Sequence, residues 1–178
     1  MQRISVVGSS GSGKTTAARA IADKLGHPRL ELDSVYHQPD WTPLPDDEFR
    51  EVAMDFASKD RWVIDGNYSS HGVLDLVWHH ADTVVWVDPA KRTAMRQVTW
   101  RAVSRATTGK ELWNGNRERW PNLFKWAPED NIIRWTWTRF DHTRVKYESR
   151  MNDPAWAHLE FVRLRSRSEL SEFVDSLQ

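Results

Sequence analysis

The stretch "ISVVGSSGSGKTTAARAIADKLG" (residues 4–26) decides how this chain is read. Ile4, Val6 and Val7 form a short β-rich run that ends in glycine. Beyond the glycines, alanines with Ile21 and Leu25 recur at helical spacing until Gly26 stops them. Between the two lies "GSSGSGKT" (8–15), which satisfies G-x-x-x-x-G-K-[ST] in full. Glycines in such a loop let successive backbone N–H groups point at phosphate oxygens, and the helix N-terminus adds its positive end. Lys14 is placed to reach the β- and γ-phosphates and the Thr15 hydroxyl to ligate Mg²⁺. Gly8, Ser9, Ser10, Gly11, Ser12, Gly13, Lys14, Thr15 and Thr16 are therefore expected to cradle Mg·ATP.

Outward from this loop, strands and helices alternate. "RLELD" (29–33), "RWVIDG" (61–66), "TVVWVD" (83–88) and "HLEFVRLR" (158–165) read as further strands. "DDEFREVAMDFASKD" (46–60) reads as a helix opened by acidic residues, and a long helix is predicted from Pro89 to about Thr108, with proline in its first turn. Residues 129–151 predict another long helix, and "SRSELSEFVDSLQ" (166–178) a last one with a serine cap. Such alternation implies an α/β fold, a parallel sheet covered by helices on both faces. Residues 37–45 form a proline-rich loop, and 109–128 is the one irregular region.

Composition narrows the function. The 178 residues suit one domain with a real core. Lysine plus arginine equals aspartate plus glutamate at 25 each, so the chain as a whole has no bias toward polyanions, and a dedicated nucleic-acid-binding role is disfavoured. With no cysteine, thiolate metal sites and thiol nucleophiles are excluded. No apolar run is long enough to span a membrane, and the N-terminus enters a strand without the regions of a secretory signal, so a cytoplasmic protein, monomer or homodimer, is expected. His71, His79 and His80 have no carboxylate at ligand spacing, so no metal site is expected there. Of the eleven tryptophans, Trp62, Trp78, Trp86 and Trp156 adjoin strands and are expected to be buried. Trp135 and Trp137, two apart on a helix, cannot share a face.

Two aspartates end strands as read here, Asp33 in "LELD" and Asp65 in "WVID", and ligands bind at the carboxyl edge of open α/β sheets. Asp65 follows an apolar run and is the candidate for holding Mg²⁺ with Thr15. Asp33 is the candidate to orient or deprotonate an acceptor. Asp88, next to Pro89, reads better as a helix cap.

With "GSSGSGKTT", "LELDSVYHQPDW", "WVIDGNY", the arginines of 101–119 and "VRLRSRSEL" in view, the chain resembles the P-loop nucleoside and nucleotide kinases of the adenylate-kinase-like group. Within it the likeness is greatest to small bacterial proteins labelled "DNA topology modulation" or FlaR-like. The resemblance implies a five-stranded parallel sheet of order 2-3-1-4-5, an acceptor region after strand two, and a lid, here about 109–128. It also implies an adenine-side loop around 163–169.

The lid would carry Arg101 and Arg105, four apart on one helix face, then Arg117 and Arg119. From Lys91 to Lys125 nine basic residues face two acidic ones, a concentration suited to a polyphosphate transition state once water is excluded. Tryptophans 113, 120 and 126 would dock the lid or stack on a base. Kinases of this kind keep an arginine after strand two and another after the "DG" of strand three, to clamp an acceptor phosphate. Here those places read "DSVYHQPDW" and "DGNYSSHG", without arginine. A hydroxyl acceptor shaped by Tyr36, His37, Trp41, Asn67 and Tyr68 is therefore favoured, with Lys14, Asp33, Arg101, Arg105 and Arg117 as the catalytic set. The alternative is a nucleotide-switched ATPase whose Trp/Arg segment grips single-stranded nucleic acid.

Overall fold

The structure, a computed structural model, describes residues 1–118, 120–121, 127 and 131–178. Arg119, Lys125 and Trp126, and the predicted helix start at 129–130, lie outside the described residues. Five parallel strands form one sheet of order β2-β3-β1-β4-β5: β1 (Arg3–Gly8), β2 (Arg29–Glu31), β3 (Trp62–Asp65), β4 (Thr83–Val87) and β5 (Glu160–Leu164). Seven helices accompany it among the described residues: α1 (Lys14–Leu25), α2 (Leu32–Tyr36), α3 (Asp46–Ala57), α4 (Val73–His80), α5 (Lys91–Thr108), α6 (Ile132–Met151) and α7 (Arg167–Ser176). No described helix is long and apolar enough to cross a membrane.

Alternation along the strands fills two cores. Trp62 and Ile64 of β3, with Val84 and Trp86 of β4, turn toward α3, α4 and α6. Val63, Val85 and Val87 turn the other way, onto Ala17, Ala18 and Ile21 of α1 and Leu177 beyond α7. The large indoles keep their N–H groups satisfied inside. Trp62 Nε1 donates to the Ala57 carbonyl (3.0 Å), and Trp78 Nε1 to Ser5 Oγ (3.2 Å). Trp156 packs edge-on to Trp78 at 5.2 Å, so all four tryptophans expected in the core are in it. Trp135 and Trp137 are both exposed.

Four local readings are corrected. β2 stops at Glu31 because Ser34 Oγ donates to the Glu31 carbonyl (2.7 Å) and the chain coils into α2, so Asp33 lies in a helical turn and not at a strand end. α5 begins at Lys91, leaving Pro89 ahead of it and Ala90 as the cap. Asp88 caps nothing: it is buried and grips Arg144 (2.9 and 3.0 Å) and Arg163 (2.5 and 2.9 Å). α4 is an addition that the sequence reading lacked. The serine cap of α7 is present, with Ser166 Oγ accepting from Glu169 N (3.1 Å).

Candidate active site

The phosphate loop sits where β1 gives way to α1. Gly13 (φ 98°) is the residue before α1, and Gly11 (φ 75°) adopts the left-handed backbone that side chains disfavour. Space forbids a side chain at 11 as well: an added Cβ would stand 2.4 Å from the Ala94 carbonyl oxygen and 2.9 Å from Val98 Cβ, so α5 rests directly on the loop. No acidic residue occupies the first turn of α1, which leaves its positive end uncompensated. Ser12 Oγ is buried without a hydrogen-bond partner among the described residues. Lys14 and Thr15 open α1 half-buried, between half-buried Ser9 and Ser10 and exposed Thr16.

Asp65, at the end of β3, is 2% exposed, and both its carboxylate oxygens lack a hydrogen-bond partner among the described residues. Burial pushes its carboxyl group up to about 6. Lys14 and Thr15 pull in the opposite direction but leave the carboxylate unsatisfied, while Asp33 and Glu31 repel it. Two orphaned, buried oxygens beside a lysine and a hydroxyl are a donor set that a hard cation satisfies. Asp65 and Thr15 thus fit Mg²⁺.

On the acceptor side, the Tyr68 hydroxyl donates to Asp33 Oδ1 (2.7 Å). Burial, then the Asp33 charge, raises the Tyr68 phenol far above its ordinary value and keeps it a donor. Tyr36 stacks obliquely on Tyr68 (4.8 Å) and Phe49 (5.2 Å), and His37 meets Trp41 edge-on at 5.3 Å. Burial lowers the His37 imidazolium pKa against the pull of Asp33. Tyr36 also meets His37 edge-on at 5.2 Å, so these rings pack against one another. His71 joins the cluster with Nδ1 2.7 Å from Asp46 Oδ1, a carboxylate partner from outside the histidine run.

Asn67 is committed elsewhere. Its Oδ1 accepts from Gly8 N (3.2 Å), its Nδ2 donates to the Gly8 carbonyl, and the buried Tyr147 hydroxyl donates to the same Oδ1 (3.0 Å). The side chain therefore fixes the start of the phosphate loop, and one Nδ2 hydrogen remains beyond these bonds. Tyr147, from α6, was not foreseen.

The candidate arginines divide. Arg101 has no hydrogen bond or ion pair among the described residues, and its charge interacts with those of Asp33 and Asp65. Burial and the neighbouring Arg105 lower its pKa, and Glu118, Asp33 and Asp65 oppose that. Arg105 pairs with Glu118 at 3.0 Å. Arg117 is exposed and pairs with Glu111 at 3.4 Å.

Residues 111–117 form a tight hairpin, joined by the Glu111–Arg117 bridge and by Leu112 N donating to the Asn116 carbonyl (2.7 Å). It closes on the acceptor loop. Asn116 Oδ1 accepts from Trp41 N (2.8 Å) and its Nδ2 donates to the Gln38 carbonyl (2.9 Å). Asn114 Nδ2 donates to the carbonyls of Ser34 (3.0 Å) and His37 (2.6 Å), while Trp113 stacks on His37 at 5.7 Å. The sequence reading took the tryptophans and arginines of this stretch as its working parts, and missed both asparagines. Beside this seam opens a cavity of about 630 Å³, bordered by Trp41, Arg117, Glu118 and Trp120 but by neither Lys14 nor Asp33. Of the candidate residues only Trp41 and Arg117 border it, so the cavity does not coincide with the phosphate loop and Asp33.

No family model matches the chain, and no curated protein matches it in sequence. Solved structures do match. A gluconokinase from Sinorhizobium meliloti 1021 is 19% identical, with a TM-score of 0.54 over 98% of this chain and 87% of that one. Shikimate kinase from Acinetobacter baumannii, in complex with shikimate, is 15% identical with a TM-score of 0.61, covering 98% and 89%. Shikimate kinase from Bacteroides thetaiotaomicron is 18% identical, TM-score 0.53, covering 99% and 96%. The fold is that of the P-loop kinases. At these identities the likeness shows the fold alone.

Proposed function

We propose that the protein is an ATP-dependent small-molecule kinase that phosphorylates the hydroxyl of an acceptor that carries no phosphate. The observation that carries this reading is Asp33: a carboxylate oriented by Tyr68, facing Asp65 and Arg101, and paired with no guanidinium among the described residues. A phosphate-bearing acceptor needs bidentate arginines. Arg50, the nearest basic residue of α3, spends its guanidinium on the His71 carbonyl (2.7 Å) and Asp47 (3.1 Å).

In this reading the acceptor lies against the Tyr36–Tyr68 wall. Its hydroxyl oxygen attacks the γ-phosphorus while Asp33 takes the proton, and the bond to the β–γ bridging oxygen breaks with its electron pair leaving on ADP. Lys14 and Arg101 neutralise the charge that develops on the γ-phosphoryl oxygens. Asp65 and Thr15 would hold Mg²⁺, which when bound neutralises the β- and γ-phosphate oxygens. Residues about 109–128 serve as a lid in a single domain, and Arg105 and Arg117, paired within it, are assigned secondary parts. That pairing also leaves fewer cations for a polyanion, so the kinase is preferred to the nucleic-acid switch. The printed names of the matched structures, gluconokinase and shikimate kinase, support a non-nucleotide acceptor. Within the P-loop kinases, the "LDSVYHQPDW" and "DGNY" segments remain our ground for a place near the FlaR-like proteins.

The test is ADP release from Mg·ATP with panels of nucleosides, nucleoside monophosphates and small hydroxylated metabolites. Stimulation by a class without phosphate, lost in Lys14→Ala and Asp33→Asn, is expected. Phosphate transfer that survives Lys14→Ala would overturn the reading.

A further inference from the structure

The acceptor turn holds an uncommon backbone. Asp40 (φ 57°) and Trp41 (φ 59°) are consecutive non-glycine residues in the left-handed region, a conformation that is costly for a bulky side chain such as tryptophan. Within the turn itself, Gln38 N donates to the Thr42 carbonyl (2.8 Å) and Thr42 N to the Pro39 carbonyl (3.2 Å). Neither bond uses the Trp41 N–H or the Gln38 carbonyl. Both of those groups are satisfied by one side chain from 75 or more residues away, the amide of Asn116. Asn116 is 4% exposed, so its amide has no water to fall back on if either bond is lost.

Asn116 itself is held in place by its own turn, which has the same shape. Asn114 (φ 56°, ψ 33°) sits in the 112–116 turn where Asp40 (φ 57°, ψ 30°) sits in the 38–42 turn. Asn116 N donates to the Trp113 carbonyl (3.1 Å) as Thr42 N does to that of Pro39. Two matched turns therefore interlock, and the strained one borrows its missing hydrogen bonds from the other. His37 and Trp41, which extend the Tyr36–Tyr68 wall of the proposed function through the Tyr36–His37 contact (5.2 Å), flank the borrowed bonds.

We infer that Asn116 is a positioning residue that holds the strained Asp40–Trp41 turn, so that the acceptor wall is formed only while the 111–117 hairpin is docked on it. Asn116 touches neither nucleotide nor acceptor in this arrangement. It acts through the Trp41 backbone, and none of its side-chain bonds among the described residues reaches the phosphate loop, so its loss leaves that loop unchanged.

The experiment compares wild type with Asn116→Ala and with Asn116→Ala/Asp40→Gly. Amide hydrogen exchange is read over 34–44 and 8–15. We expect exchange at Trp41 to accelerate at least tenfold in Asn116→Ala with 8–15 unchanged, and the added glycine, which adopts the left-handed backbone without steric cost, to slow exchange at Gln38 and Thr42, whose bonds are the turn's own, relative to the single variant. In the kinase assay the acceptor KM rises about tenfold, while kcat and ATP affinity stay within threefold and the double variant recovers part of the loss. Unchanged Trp41 exchange would overturn the inference, and so would equal acceleration at 8–15, which signals general destabilisation. The KM arm rests on the kinase reading; the exchange arm does not, so failure of one is distinguishable from failure of the other.

Discussion

The amide of Asn67 pairs with both backbone polar groups of Gly8, so that the loop following β3 grips the first residue of the phosphate loop. Tyr147 donates to the same Oδ1 from α6. Three segments far apart in sequence thus fix the point at which the phosphate loop leaves the sheet.

Asn67→Ala removes both bonds from the polar groups of the buried Gly8. A loss of about 1–3 kcal/mol is expected in denaturant unfolding. Nucleotide affinity falls with it, because the cradle is no longer held in its binding shape. Tyr147→Phe, which removes only one donor, costs about 1 kcal/mol and leaves affinity nearly intact.

Asp65 gives a dependence on pH whose sign is fixed. Its carboxyl group, near 3.8 when unfolded, is raised to about 6 in the fold, so the folded state holds its proton more tightly. The unbound protein therefore loses stability as pH rises from about 4 to 6, by on the order of 3 kcal/mol from this one group. Asp65→Asn removes that slope and raises the unbound protein's Tm at pH 7. The same variant loses Mg²⁺-dependent stabilisation by ATP. A variant that keeps the slope would show the charge cost to lie elsewhere.

Arg101 and Arg117 are separated by their partners. Arg101→Ala is expected to lower kcat at least tenfold, on the scale of a lost transition-state donor. Arg117→Ala stays within threefold, because that guanidinium is exposed and already paired with Glu111. Steady-state kinetics on the best acceptor distinguishes them, and equal losses would return Arg117 to the catalytic set.

Asp88→Ala leaves Arg144 and Arg163 facing each other without their shared carboxylate. Roughly 3 kcal/mol of stability is lost, the low end for a broken buried pair because both arginines keep some contact with water. Thermal unfolding measures it directly.

Those four sites also show what a sequence can carry. The phosphate loop is legible because its whole logic is local: a strand, a glycine-rich turn and a helix start within one short stretch. The sheet order followed from resemblance and stands. Asp88 was misread because its neighbour Pro89 suggests a cap, whereas its partners lie 56 and 75 residues away. α4 escaped because "VLDLVWHH" is only two turns long, too short to show a helical period, with no capping side chain at Gly72 to announce it. In "LELD" the alternation runs on past the point where β2 loses its neighbour, so Asp33 was placed one element early. Asn114 and Asn116 look like ordinary turn residues, and only the docking of one turn on another gives them work.

The contact between Gly11 and α5 has a mechanical meaning. Hardly an atom's width separates the loop from Ala94 and Val98, and the same helix, one and two turns further along, presents Arg101 and Arg105. Loop and helix therefore behave as two parts of one rigid joint, and a shift at the loop is passed to the guanidiniums without slack. Position 11 is closed to every amino acid but glycine for two independent reasons, one conformational and one spatial. A methyl group there would jam the joint even if the backbone could bear it.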